Sequence, residues 1–485
     1  MPQLQSLLRQ VAVEQTIGNG FVAVENIVID SRKTTAGSLF VALRGTQVDG
    51  HAYIDKAITL GAVAVLCEEA PATPAPDVTY IVVADSAQAM GFVAAHFYDQ
   101  PARKLKLVGV TGTNGKTSTV SLLFHLFRKL GHHVGLLSTV QNQIDDQIIP
   151  STHTTPDAVT LNALLAEMVK KGCTYCFMEV SSHAVVQHRI TGLYFAGGIF
   201  TNITHDHLDF HVTFDNYIRA KKGFFDQLPA DAFALVNIDD RRGAVMLQNT
   251  AARRETYSLQ TLASFKGKVL DNSFFGLQMD IDGREVHLQL IGRFNAYNTL
   301  GVYGAAVLLD EDPNEVLAIL SAQKAPPGRF EQVISDNQIV GIVDYAHTPD
   351  ALQNVLETIT SLRQGNEQII TVVGCGGNRD ATKRPLMAQI ACKFSTKVIL
   401  TSDNPRLEDP ETILEQMQAG VPPIDFKKTK TIQDRQRAIQ YAVSLANPHD
   451  VVLVAGKGHE TYQEIAGVKH DFDDRTELKK AFGSK

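Results

Sequence analysis

Apolar residues along this chain come in blocks of two kinds. Short continuous runs, KLKLVGV ending at Val110, CTYCFMEV ending before Ser181, and the openings of QIVGIVDYAHTPD, QIITVVGCGGNRD, KVILTSDNPR and DVVLVAGKGHE, each run into a polar or glycine-rich loop. They have the length and β-prone composition of buried strands. Longer segments repeat apolar residues every three or four positions and predict helices over AYIDKAITLGA, SAQAMGFVAAHFYD, SLLFHLFRKLG with Gly131 as its stop, FDNYIRAKKGFFDQL and IGRFNAYNTLGVYGAAVLL. Near the start, NIVIDSRKTTAGSLFVALRG reads as strand, polar turn and strand. Strands alternating with helices predict an α/β protein with parallel sheets, whose ligands gather beyond the carboxyl ends of the strands. The loops DYAHTPD, GGNRD, SDNPR and GKGHE are therefore expected to face one crevice.

At 485 residues the chain exceeds a single core, and about 150 residues per domain gives about three. Breaks are expected at QPARK and at the turn APPGRF, dividing the chain into 1–101, 102–330 and 331–485. A formal charge of −7 without a long basic run argues against nucleic acid or an anionic membrane as main partner. No apolar stretch approaches 18 residues, and MPQLQSLLRQV lacks the basic and apolar regions of a secretion signal, so the expectation is a soluble, cytoplasmic protein acting on small molecules. Cys173 and Cys176 form a C-x-x-C without a second pair of matching spacing, and read as buried strand cysteines.

Candidate chemistry begins at VTGTNGKTSTV, residues 110–120. Strand, glycine-rich turn and helix suit backbone amides from Thr113 to Lys116 converging on a phosphate, Lys116 reaching the β/γ-phosphates and the Thr117 hydroxyl on Mg²⁺. Val110 stands where the usual phosphate-loop pattern has its first glycine, with Gly109 and Gly112 flanking it. Glu179, closing a strand, suits a metal held against those phosphates. His205, Asp206, His207, Asp209 and His211 crowd one loop, TNITHDHLDFH, open to an ATP-linked Mg²⁺ site, a zinc or phosphohydrolase site, or solvated histidines. At 100° per residue, Phe214, Tyr217, Ile218, Phe224, Phe225 and Leu228 share a face with Lys221 near its centre and Lys222 on its flank. A partly desolvated amine there has a lowered pKa and can take up CO₂ as a carbamate, an added anionic ligand for Mg²⁺.

TGTNGKT, MEVSSHAVVQHR, TNITHDHLDFH with RAK, GRFNAYN, PPGRFE, VDYAHTPD and GKGHE, in that order, resemble the Mur ligases over nearly the whole chain. The resemblance implies three domains: an N-terminal mixed α/β UDP-binding domain, a central sheet like that of P-loop ATPases and a C-terminal Rossmann-like domain. It implies a monomeric, ATP-dependent amide ligase of cell-wall precursor synthesis. ATP would be held by Gly112, Thr113, Asn114, Gly115, Lys116, Thr117 and Ser118 together with Asn298, Arg329, Asp344 and His347. Mg²⁺ would be held by Thr117, Glu179, His207 and carbamylated Lys221. The UDP-sugar would meet Ile29, Ser31, Thr46, Gln47 and Val48, and the muramoyl-dipeptide His153, Thr154, Thr155, Ser181, Gln187 and Arg189, with His153 standing where an Asn is common.

In similar enzymes DNPR marks users of meso-diaminopimelate, which differs from lysine by a second carboxylate at its far end. Asp403, Asn404, Pro405 and Arg406 form that sequence, and Arg379, Gly456 and Glu460 match the other contacts to the amino acid. Arg406 offers a bidentate fork to the far carboxylate, and lysine would leave that fork without a partner. The alternatives are a ligase like folylpolyglutamate synthetase, which should lack the DSR and DGH block of residues 30–51, and a non-catalytic nucleotide-binding scaffold.

Overall fold

Each long apolar run becomes a strand buried on both faces. The structure, a computed structural model, describes residues 1–45, 48–151, 153–204 and 208–483. Backbone contacts divide it into two compact units, Met1–Tyr257 with Gly301–Pro313, and Ser258–Leu300 with Asn314–Lys485.

In the first unit, β1 (Val13–Ile17), β2 (Asn26–Val28), β3 (Ser38–Val41), β4 (Ala62–Cys67) and β5 (Thr79–Val83) form a sheet in the order β1-β5-β4-β3-β2. Only β1 runs antiparallel, against β5. Successive side chains point to opposite faces, so Leu39, Val41, Ala64 and Leu66 enter one core while Phe40, Val65, Cys67 and Tyr80 enter another. The predicted helix α1 (Ser86–Phe97) covers the first face, starting at Asp85, whose carboxylate caps the Gln88 amide.

The next sheet contains β6 (Lys106–Thr111), β7 (Val134–Leu137), β8 (Asn142–Ile144), β9 (Gln147–Ile149), β10 (Tyr175–Glu179), β11 (Gly197–Phe200), β12 (Phe233–Asn237) and β13 (Arg253–Ser258). Their order is β13-β12-β11-β6-β10-β7-β8-β9, parallel from β13 to β7. The chain winds one way through β6 and β7, then returns to build β11, β12 and β13 on the other side of β6. That reversal opens a crevice at the carboxyl ends of β6 and β10, where α/β sheets bind ligands. Three helices serve it: α2 (Lys116–Lys129), α3 (Ala158–Lys170) and α4 (Phe214–Asp226).

The second unit contains an antiparallel meander, β14 (Phe265–Ser273), β15 (Gly276–Ile281) and β16 (Arg284–Leu288). Helix α5 (Arg293–Leu308) begins in this unit. Then come β17 (Glu331–Ile334), β18 (Val340–Asp344), β19 (Ile369–Val373), β20 (Lys397–Leu400), β21 (Thr429–Thr431) and β22 (Val451–Ala455), ordered β17-β18-β22-β19-β20-β21 and parallel from β18 to β21. Ile342, Val398, Leu400 and Leu453 pack on one face, and Val343, Ile399, Val452 and Val454 on the other, which is why these strands read as continuous apolar runs. Helices α6 (Pro349–Leu362) and α7 (Lys383–Phe394) follow β18 and β19. After β22 the chain instead forms a hairpin of β23 (Tyr462–Ile465) and β24 (Val468–Asp471). All five cysteines are free and buried; of the C-x-x-C pair expected in a strand, Cys176 lies in β10 and Cys173 just before it.

Candidate active site

The phosphate loop leaves β6 at Gly112. A Cβ there would lie 1.9 Å from Thr201 Oγ1, so the close approach to the β11 loop requires glycine. Thr201 and Asn202 fasten the turn: Thr201 Oγ1 donates to the Asn114 carbonyl at 2.7 Å, and the Thr113 and Asn114 amides donate to Asn202 O and Oδ1 at 2.9 and 3.0 Å. Those two amides are thus committed within the protein. This corrects the expectation that they face a phosphate; the amides of the first turn of α2 have no carbonyl within the helix to receive them. Lys116 Nζ folds back over the loop, 2.9 Å from both the Gly112 and Thr113 carbonyls.

Glu179 lies beside Val110 in the β6–β10 register and is buried. Its Oε1 accepts hydrogen bonds from Thr117 Oγ1 at 2.9 Å and the Thr139 amide at 2.8 Å, and its Oε2 accepts one from Thr139 Oγ1 at 3.2 Å. The sequence-derived pair of Thr117 and Glu179 therefore meets, oriented by a residue that sequence reasoning missed. Nothing in the sequence marks Thr139 beyond its place two residues after the apolar strand VGLL.

Helix α4 starts where Thr213 caps the Asn216 amide, and buries Tyr217, Ile218, Ala220, Lys221, Phe224 and Phe225. Lys221, 1% exposed, donates from Nζ to the Gly112 carbonyl at 2.8 Å, and its Nζ lies 4.7 Å from the centroid of the Tyr217 ring. Lys222 sits on the flank and pairs with Asp226 at 2.6 Å. The helical register read from sequence is the one observed. His211 turns into the core, its Nε2 2.9 Å from Ser182 Oγ. His205, Asp206 and His207 lie outside the described residues, as do Thr46 and Gln47.

Thr139 also links this cluster to the predicted dipeptide residues, its Oγ1 lying 3.0 Å from Thr154 Oγ1. Thr155 Oγ1 donates to the Glu179 carbonyl at 2.9 Å and accepts from the Ser181 amide at 3.2 Å. Arg189 donates to the Thr155 carbonyl at 2.7 Å and to Gln187 Oε1 at 2.6 Å, so Thr154, Thr155, Ser181, Gln187 and Arg189 form one connected group. Burial lowers the Arg189 pKa from its ordinary value. His153, next to Thr154 in sequence, is exposed. In the N-terminal sheet Ser31 is buried, while Ile29 and Val48 are exposed apolar side chains.

In the second unit the predicted loops do converge. Gly328 and Gly458 pack backbone to backbone, both at positive φ, and a Cβ on Gly328 would fall 2.0 Å from the His459 amide nitrogen. This close approach carries the Arg329 guanidinium over the Tyr345 ring, 4.8 Å from its centroid, with the His459 ring 4.9 Å from the same ring. Asp344 Oδ2 accepts the Phe330 amide at 2.6 Å. Burial pushes Asp344 up to about 6 despite the opposing pull of Arg329. His347 is anchored by Nδ1 near the Tyr345 carbonyl at 2.8 Å, and Asn298 donates to Asn295 Oδ1 at 3.1 Å.

Around the DNPR loop, Asn404 donates to Glu460 Oε2 at 2.7 Å and accepts from Lys457 Nζ at 2.9 Å. Lys457, fully buried and also missed from sequence, sits in the GKGHE loop directly after an apolar strand. Gly456 is close to Asp403: a Cβ there would be 2.5 Å from Asp403 Oδ2. Arg406 adopts φ +53°, donates to the Gly377 carbonyl at 2.7 Å, and places Nε 3.6 Å from Glu464 Oε2. The guanidinium thus already has partners within the chain, which corrects the argument that lysine would leave it unpaired. Arg379 is exposed on the neighbouring loop.

Comparisons with known proteins bear on this arrangement. The pattern of the Mur ligase middle domain matches residues 110–306, that of the Mur ligase glutamate ligase domain residues 328–458, and that of the Mur ligase family catalytic domain residues 23–98. A "UDP-N-acetylmuramoyl-L-alanyl-D-glutamate--2,6-diaminopimelate ligase" of Cytophaga hutchinsonii is 60% identical over 478 residues, covering 98% of each chain. A protein of the same name from Parabacteroides distasonis is 57% identical, covering 99% of each. A solved structure bearing that ligase name superposes with a TM-score of 0.72 at 33% identity, covering 100% of this chain and 99% of the other. By matches that run along nearly its whole length, this chain belongs to the Mur ligase family.

Proposed function

We propose that this chain is the ATP-dependent ligase that joins 2,6-diaminopimelate to the D-glutamate γ-carboxylate of UDP-N-acetylmuramoyl-L-alanyl-D-glutamate. The observation that carries this reading is the full-length identity of 60% to a ligase named for that reaction. It extends through the N-terminal residues that a folylpolyglutamate-type ligase would lack. Residues 1–101 serve the sugar nucleotide, 102–330 ATP and 331–485 the amino acid, all in the cytoplasm.

The chemistry turns on charge. A carboxylate approaching an anionic γ-phosphate is repelled, so the protein must supply cations and alignment. Lys116 provides one at the phosphate loop. Arg189, with Thr154, Thr155 and Ser181, orients the dipeptide so that a carboxylate oxygen attacks the γ-phosphorus and ADP leaves. The amine of diaminopimelate, recognised through Arg379, Asp403, Asn404, Arg406 and Glu460, then attacks the acyl carbon. Phosphate leaves, the nitrogen loses a proton, and an amide remains.

Glu179 and the Thr117 hydroxyl form an all-oxygen donor pair of the kind a hard cation takes, which fits Mg²⁺. Lys221, buried within reach of the Gly112 carbonyl, is the residue that a carbamate would convert into a further anionic ligand. A bound Mg²⁺ would neutralise phosphate charge there. The test is phosphate release with the UDP-dipeptide and ATP, supplied with diaminopimelate, lysine or neither. Release and a new amide with diaminopimelate are expected, and equal use of lysine would overturn the assignment.

A further inference from the structure

Gln463 to Ala466, in and just after β23, grip the DNPR loop almost residue by residue. Gln463 Nε2 donates to the Asp403 carbonyl at 2.7 Å, and the Glu464 amide to Asn404 Oδ1 at 3.0 Å. The Arg406 amide donates to the Glu464 carbonyl at 3.0 Å, and the Ala466 amide to the Arg406 carbonyl at 2.6 Å. Ala466 and Gly467 both have positive φ, +50° and +78°, making the two-residue turn that connects Ile465 to its partner Val468. Arg406 itself is held in the left-handed region, unfavourable for a non-glycine residue, and the hairpin's two backbone bonds hold it there.

The side chains repeat the pattern. Among the described residues the Glu464 carboxylate accepts no hydrogen bond, and its one ionic partner is Arg406, 3.6 Å away. With side-chain exposures of 23% for Arg406 and 26% for Glu464, the pair lies at the rim of the loop cluster, neither dry nor fully solvated. The Gly377 carbonyl fixes one edge of the guanidinium and Glu464 stands beside Nε.

We propose that Glu464 is a positioning residue for amino-acid recognition. It orients the Arg406 guanidinium before the substrate's far carboxylate arrives, and acts through Arg406 rather than on the substrate. The inference rests on the diaminopimelate reading above. The experiment compares wild type, Glu464→Gln, Arg406→Ala and the double variant, measuring kcat/KM for diaminopimelate and KM for ATP and the UDP-dipeptide. For an ion pair about a quarter exposed, Glu464→Gln should lower kcat/KM for diaminopimelate about three- to fivefold through KM, leaving the other two KM values unchanged. In the Arg406→Ala background it should have no further effect. An equal loss in both backgrounds, no change, or improved use of diaminopimelate by Glu464→Gln would overturn the inference. If the wild type does not ligate diaminopimelate, the underlying functional reading fails instead.

Discussion

Lys221 shows how one position can carry more chemistry than its sequence neighbour. Both Lys221 and Lys222 are lysines on one helix, yet one is 1% exposed beneath the phosphate loop and the other pairs with Asp226 on the flank. Lys221→Ala should abolish turnover, and short carboxylic acids added to the assay should restore part of it by standing in for a carbamate. Lys222→Ala should lose only a partly covered i,i+4 pair at the flank of the helix, about 0.3 to 0.5 kcal/mol of stability, with near-normal rates. Sensitivity at Lys222 instead would count against the assignment. Asp344 adds a pH signature. Its native pKa of about 6 exceeds the ordinary carboxylate value, so between about 4 and 6 the folded protein retains a proton that the unfolded chain has lost. Raising the pH through that window should therefore erode stability, the penalty being fully present above it. Urea midpoints across the window should flatten in Asp344→Asn relative to wild type.

At the scale of elements, the strands and helices were legible because parallel sheets covered on both faces demand unbroken apolar runs, and helix faces demand their own period. The Lys221 register and the convergence of the DYAHTPD, GGNRD, SDNPR and GKGHE loops follow from those two periods alone. Thr139, Lys457 and Glu464 were not legible, since each gains its role from a partner more than 30 residues away, or, for Lys457 and Glu464, from the fold of a loop whose shape no period encodes. Arg435 is a further case. Its guanidinium, 0% exposed, pairs with Asp474 through two contacts of 2.7 Å and donates to the Ser402 and Ala455 carbonyls at 3.3 and 3.0 Å, tying together the ends of β20 and β22. Asp474→Ala would strand that buried cation and should cost about 3 to 5 kcal/mol, read as a lowered urea midpoint. Because the tie ends at Ser402, diaminopimelate use should weaken along with stability.

For the whole molecule, the phosphate loop lies in one compact unit and the DNPR loop in the other, so the two half-reactions should be separable. With ATP and the UDP-dipeptide but no amino acid, borohydride should trap the acyl phosphate in wild type and in Arg406→Ala alike, and not in Lys116→Ala. Complete turnover should fail in Lys116→Ala and be weakened but measurable in Arg406→Ala, which loses about 2 to 5 kcal/mol of transition-state stabilisation for diaminopimelate. Failure to trap anything in Arg406→Ala would mean that the halves do not work independently. The cysteines carry a last consequence. Cys67 ends a strand of the N-terminal sheet, Cys173 and Cys176 accompany β10, and Cys375 and Cys392 flank β19 and lie in α7. Burial pushes their thiols up, Cys67 and Cys173 to about 11 and Cys375 to about 12, and a covered, protonated thiol resists electrophiles. Each of the three large parallel-stranded sheets therefore has its own silent reporter, and the order in which alkylating reagents capture them in native buffer is a clock of which sheet breathes open first.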